Sequence, residues 1–157
     1  MDLRGADLSY ADMWGARLDM ARLNKANLSH ADLRNALLDN SVLDNANLSH
    51  ADLRNARFAY ARLDNANLSH ANLSGARLDM ARLNKANLSY ANVSFRSGMR
   101  ADFRNADLIG ARGLNAHNLG GSSWGNTRCP DGSMNLQDDG RRLGQWPCLG
   151  DQAIPLA

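Results

Sequence analysis

The residues that could do chemistry in this chain come in sets. Ser29 with His30, Ser49 with His50 and Ser69 with His70 place a hydroxyl beside an imidazole three times over, aspartates recur nearby, and Cys129 and Cys148 are the two cysteines. A serine activated by a histidine that an aspartate orients is the pattern of an acyl-transfer nucleophile. Three histidines invite a metal, and two cysteines a disulfide. The first two readings fail on one ground: an active site is a unique, asymmetric constellation in a pocket, whereas these groups recur unchanged at a fixed interval along the chain. The sequence has no nucleophile elbow, P-loop, dinucleotide-binding glycine fingerprint or metal-ligand spacing, and its acidic residues are all Asp. It reads as non-catalytic, with no cofactor and no metal.

The recurrence itself is the informative feature. Every fifth residue from Leu3 to Leu108 is Leu, except for Met13, Phe58, Val93, Gly98 and Phe103. Every fifth residue from Ala6 to Ala111 is Ala, except for Ser41 and Arg96. A strict period of five fits neither the helical period of 3.6 nor a strand alternation of 2. A chain that turns inward twice in each such unit must bend at each unit. Asn-Leu-Ser-His recurs at 27–30, 47–50 and 67–70, flanked by Asp-Leu-Ser-Tyr at 7–10 and Asn-Leu-Ser-Tyr at 87–90, so the higher unit is four pentapeptides. Ala16 to Asn27 reappears identically as Ala76 to Asn87, three of these higher units later.

Composition agrees with a narrow core. Ala and Leu are the commonest residues and Asn the next, while Phe, Tyr and Trp occur three times each, so a large aromatic and β-branched core is excluded. Lys and Arg together number 18 against 16 Asp, a net charge of +2, which argues against a polyanion-binding tract and against an acidic decoy of nucleic acid. No apolar run approaches the ~18 residues of a membrane span, and the opening Met-Asp-Leu-Arg-Gly shows no signal-peptide core.

The tandem Ala-(Asp/Asn)-Leu-x-x pattern over about residues 2 to 119 resembles the pentapeptide repeat family. The resemblance implies an all-β fold, a right-handed quadrilateral β-helix in which the central Leu and the Ala two before it point inward. About six coils at ~4.8 Å each would make a rod of about 28 Å. The domains expected are a β-helix over 1–119 and an irregular C-terminal cap over 120–157, since the repeat fades from Gly120. The tail, with Trp124, Cys129-Pro-Asp-Gly-Ser, Trp146 and Cys148, also looks like tails of bacterial members of the family. A disulfide between Cys129 and Cys148 would stabilise it by about 3 kcal/mol; two free thiols are the alternative.

Two irregularities carry expectations. At 96–100 an Arg stands at a small inward site and a Gly at a Leu site. A buried unpaired guanidinium is very costly, so Arg96 should point outward and Met99 should fill the hole. Between Leu108 and Leu114 the apolar spacing becomes six, which calls for a bulge at Gly113.

Stacking equivalent positions of successive higher units turns the sequence into columns. One face carries Asp7, Asn27, Asn47, Asn67 and Asn87, then Ser9, Ser29, Ser49, Ser69 and Ser89, then Tyr10, His30, His50, His70 and Tyr90, and is almost free of charge. The neighbouring faces carry Arg columns beside Asp columns that compensate them. The leading reading is a structural or protein-binding solenoid that contacts a protein partner through this neutral face, or associates with itself through an uncapped N-terminal end. Nucleic acid is disfavoured, because the Arg columns lack aromatic interleaving and excess charge. The family resemblance implies an alternative, imitation of B-form DNA and binding of type II topoisomerase with quinolone protection, which calls for a strongly negative rod. A lesser alternative is binding of ice or another ordered surface by the Asn and Ser grid.

A disulfide would mark an oxidising compartment. The sequons at Asn27, Asn47, Asn67, Asn72, Asn87 and Asn92 lie too close on stacked strands to carry glycans, which disfavours a eukaryotic secretory route. A bacterial periplasm, a lumen or the cell exterior is expected, with the cytoplasm as the alternative for free thiols.

Overall fold

A computed structural model describes residues 1–115, 118–135 and 148. Each pentapeptide repeats one set of backbone bonds. Around Leu28, its N–H donates to Asn47 O at 2.7 Å, the His30 N–H to Ser49 O at 2.9 Å, and the Ala31 N–H back to Leu28 O at 3.2 Å. The last bond closes a β-turn whose third residue, His30, has φ +59°, the sign that a type II turn requires there. Parallel bridges join each unit to the equivalent unit of the next coil, from Asp2 with Arg22 to Asn92 with Arg112. Four such bends separate bridged residues, which makes a square-sectioned solenoid of stacked coils. Within it the Leu column from Leu23 to Leu108 and, Arg96 apart, the Ala column from Ala21 to Ala106 are buried. Each inward Leu contributes about 1.5–3 kcal/mol by leaving water.

The left-handed corner selects its residues. Asn35, Asn40, Asn45, Asn55 and Asn65 all lie at φ between 58° and 60°, a conformation Asn tolerates better than most. His, Tyr, Met, Lys and Arg occupy other corners at a cost of order 1–3 kcal/mol each.

The N–H of the residue after each inward Leu is left out of the backbone ladder, and in most units one of two side-chain devices satisfies it. Where Asn or Asp precedes the Leu, its own Oδ1 accepts, as from Ser29 to Asn27 at 3.2 Å and from Arg34 to Asp32 at 3.1 Å. Where Arg precedes the inward residue, an Asp one coil earlier can take over. Ala59, Asp64 and Asn84 donate their N–H to Asp39, Asp44 and Asp64 at 2.8, 3.2 and 3.1 Å. The second oxygen of each of these carboxylates pairs with Arg57, Arg62 and Arg82 at 2.5, 2.6 and 2.5 Å.

The first irregularity is resolved differently from the sequence expectation. Arg96 does point outward, but Met99 does not fill the gap, being 53% exposed. Phe95 turns inward instead, from a position that is an outward corner in the regular coils. Its N–H bonds to Val93 O at 2.7 Å, and the Arg96 and Ser97 N–H groups both approach Ala76 O, at 2.9 and 3.5 Å. Two residues thus oppose one, a bulge that rotates the chain by one side chain. Phe95 packs 6.0 Å from Phe103, which stacks 4.5 Å from Trp124.

The remaining space at Gly98 is taken by Leu119 of the next coil, whose Cδ2 would lie 2.7 Å from a Cβ at residue 98. Gly98→Leu, although it restores the repeat, is therefore expected to destabilise by about 1–3 kcal/mol through overpacking. Adding Leu119→Ala should recover part of that loss. Urea melts of the single and double variants check this, and a Gly98→Leu protein at least as stable as wild type would refute it.

The second irregularity is where the sequence places it. Gly113 has φ +81°, and beyond it the bridges shift by one position, joining Asp102 with Ser123 and Asp107 with Arg128. The ladder consequently runs past Gly120, where the pentapeptide motif fades. Leu119, Trp124 and Cys129 continue the large inward column and are buried, while Thr127 takes a small site and donates its hydroxyl to Phe103 O at 2.7 Å. The spelling is lost there, but the alternation of large and small inward residues is kept. β1 (Thr127–Arg128) then pairs antiparallel with β2 (Met134–Asn135). Cys129 and Cys148 are bonded, with Cα atoms 4.9 Å apart. The rest of the expected cap, Trp146 included, lies outside the described residues.

Candidate interaction face

The corner that ends each Asn-Leu-Ser unit carries Tyr10, His30, His50, His70 and Tyr90, all exposed. Their rings form one stack, with centroids 4.7, 4.7, 4.7 and 5.2 Å apart and planes within 2°, 1°, 3° and 13° of parallel. The spacing is the separation of neighbouring strands, and a common left-handed φ aims every side chain the same way. Glycine at 110 closes the stack, since a Cβ there would lie 2.5 Å from Tyr90 Cδ1. Parallel rings do not converge their nitrogens on one ion at the ~2.0–2.1 Å that zinc needs. The row presents imidazole and phenol edges to solvent instead.

Beside it runs a second ladder. The Nδ2 groups of Asn27, Asn47 and Asn67 donate to Oδ1 of Asp7, Asn27 and Asn47 at 3.1, 3.1 and 3.2 Å. Those acceptor oxygens also receive the N–H groups of Ser9, Ser29 and Ser49, and Asn67 and Asn87 receive those of Ser69 and Ser89. The ladder has a direction, donor to the coil before, so an acceptor-only carboxylate fits its first rung. Hydrogen bonds from Ser9 and Asn27 hold the Asp7 carboxyl below its ordinary range. The sequence-derived face is therefore brought together as a single flat strip, with the serines contributing backbone donors to it.

The flanking faces are largely self-compensated. Arg34 pairs with Asp32 at 2.5 Å and reaches Asp52 at 3.8 Å, and Arg54 pairs with Asp52 at 2.5 Å. The bond from Arg34 holds Asp32 low, and that from Arg4 lowers Asp2 to about 2. At Asp102 burial works the other way, but the Arg104 hydrogen bonds outweigh it and the net shift is downward. A carboxylate depressed in the folded state stabilises above its unfolded value and loses that contribution as pH falls through the folded one. Thermal melts should therefore decline from about pH 4 toward pH 2. A melting temperature unchanged down to pH 2 would contradict this.

Sequence reasoning missed the Asp39, Asp44 and Asp64 caps. The signal was present in the fixed offset between each Asp and an Arg that precedes an inward large residue one coil later, at 39 and 57, 44 and 62, and 64 and 82.

A fold of tandem five-residue units with Leu and Ala inside defines a class, and the chain belongs to the pentapeptide repeat family. The family model for pentapeptide repeats matches residues 1–24, 21–59 and 61–95, in 8 copies. Members form right-handed quadrilateral β-helices and are generally structural or binding proteins. Among solved structures, the chain is similar to HetL, a pentapeptide repeat protein involved in heterocyst differentiation regulation from the cyanobacterium Nostoc sp. strain PCC 7120. The two are 33% identical over 85% of this chain and 68% of HetL, with a TM-score of 0.58. It is also similar to alr5209, a pentapeptide repeat protein from Nostoc PCC 7120, at 30% identity over 73% of this chain and 83% of that one, with a TM-score of 0.53. No curated protein matches. Among the described residues no helix is long and apolar enough to cross a membrane.

Proposed function

We propose that this protein is a non-catalytic, protein-binding solenoid that presents its neutral face to a partner protein. The observation that carries the reading is the ring stack from Tyr10 to Tyr90 beside the Asn ladder, a rigid and nearly uncharged strip. Its polar groups are held in fixed positions before any partner arrives, so little side-chain entropy is lost on contact. The compensated Arg and Asp columns do not favour the DNA-imitating alternative, which needs unopposed negative charge. The reading includes about six coils, a C-terminal cap closed by Cys129 and Cys148, and an oxidising compartment, the last open to test by thiol alkylation of fractionated cells.

The variant His30→Asn/His50→Asn/His70→Asn removes the rings and keeps residues suited to the left-handed corner. It should fold like wild type and lose the partner that wild-type protein captures by cross-linking from its source cells. Identical captured sets for the two proteins, or a wild-type protein that remains a strict monomer with nothing captured, would overturn the proposal.

A further inference from the structure

A different side of the solenoid holds an outward constellation that does not repeat. Tyr60 and Met80 follow each other on one corner, 59% and 40% exposed, and Met99 lies beside them, bonded through its carbonyl to the Met80 N–H at 2.9 Å. The bulge at Phe95 puts Arg96 outside, on the same side of the coil, and Arg100 occupies the corner above Met80. Asp79 is the carboxylate among them, and it is already engaged. One oxygen accepts from the Ser97 hydroxyl and the Met99 N–H, the other pairs with Arg77 at 3.2 Å. Among the described residues no carboxylate pairs with Arg96 or Arg100. In the middle of the rod, by contrast, Arg34, Arg54, Arg57, Arg62 and Arg82 each sit against an aspartate.

We propose that this corner, Tyr60, Met80 and Met99 with Arg96 and Arg100, docks an acidic peptide segment of a partner protein that carries an apolar anchor. The apolar ridge supplies a site for the anchor, with methionines able to repack around it. The two guanidiniums, unopposed among the described residues, supply forked donors for carboxylates. The interruption of the repeat supports the assignment: a regular Ala at 96 would have left this side without Arg96 outside. Proteins break a local rule most often where a site requires it.

The test uses the full chain and a short fluorescein-labelled peptide of alternating Glu and Leu, followed by fluorescence anisotropy. Wild-type protein should bind it saturably. Arg96→Gln/Arg100→Gln and Met80→Gln should each weaken binding by about tenfold, a change of about 1.4 kcal/mol, while Arg17→Gln, on the same side near the other end, should not. Unchanged circular dichroism melts establish that the variants fold, and Met80→Gln, on a regular corner, serves where the bulge variant does not. Absence of binding, equal binding by all variants, or equal binding of a Gln-for-Glu peptide overturns the proposal. So does duplex DNA binding with the same arginine dependence and displacing the peptide, which would make the corner a nucleic-acid site.

Discussion

Phe103→Ala should lower stability by about 3–5 kcal/mol, the range for deleting a buried aromatic ring. Phe103 is fully buried between two other rings, Phe95 at 6.0 Å and Trp124 at 4.5 Å. It is also the point at which two departures from the repeat meet: Phe95 turned inward and Trp124 replacing Leu. Removing it leaves a cavity that neither of these bulky neighbours can enter without leaving its own site. In a solenoid each coil contacts only its neighbours, so the loss should be local. Amide exchange should accelerate first in residues 98–128 while residues 23–68 keep their protection. A loss spread evenly along the rod, or one below about 1 kcal/mol, would refute the claim that this cluster holds the C-terminal coils.

Leu48→Ala tests the regular part. Leu48 is fully buried in the middle of the axial column, and its truncation should cost about 2–5 kcal/mol. The same change at Leu8, which is only partly buried in the first coil, should cost distinctly less, because part of its surface already meets water. Chemical denaturation of both variants gives the comparison. Equal losses would mean that stability does not follow position along the column, and the coil-by-coil picture would fail.

How legible this molecule was follows from how its positions are constrained. Inward sites accept one size each, so Leu3 through Leu108 and Ala6 through Ala111 declare the length of the unit, and the return of Asn-Leu-Ser at every fourth unit declares four sides. The extra residue near Gly113 was legible for the same reason, as a spacing of six. Met99 was misjudged because an inward gap can be filled from three directions. The sequence offers no means of choosing between a neighbour in the same unit, the residue before the bulge, and Leu119 from the next coil. The continuation of the ladder to Arg128 was hidden because Trp124, Thr127 and Cys129 satisfy inward size without repeating the motif. Of the candidate face, the columns were readable from spacing alone. The ring parallelism was not, since it depends on the shared left-handed φ at Tyr10, His30, His50, His70 and Tyr90.

The ladder that joins each residue to its equivalent one coil on has a mechanical side. No pairing in the regular rod spans much more chain than any other, so no single contact locks the rest. Pulled from its two ends, such a molecule should peel rather than snap. Each event would release one coil, about 66–72 Å of extended chain at ~3.3–3.6 Å per residue. It would behave as a tether that yields in even increments, stopping only where the bulge at Gly113 and the bonded Cys129 and Cys148 change the step.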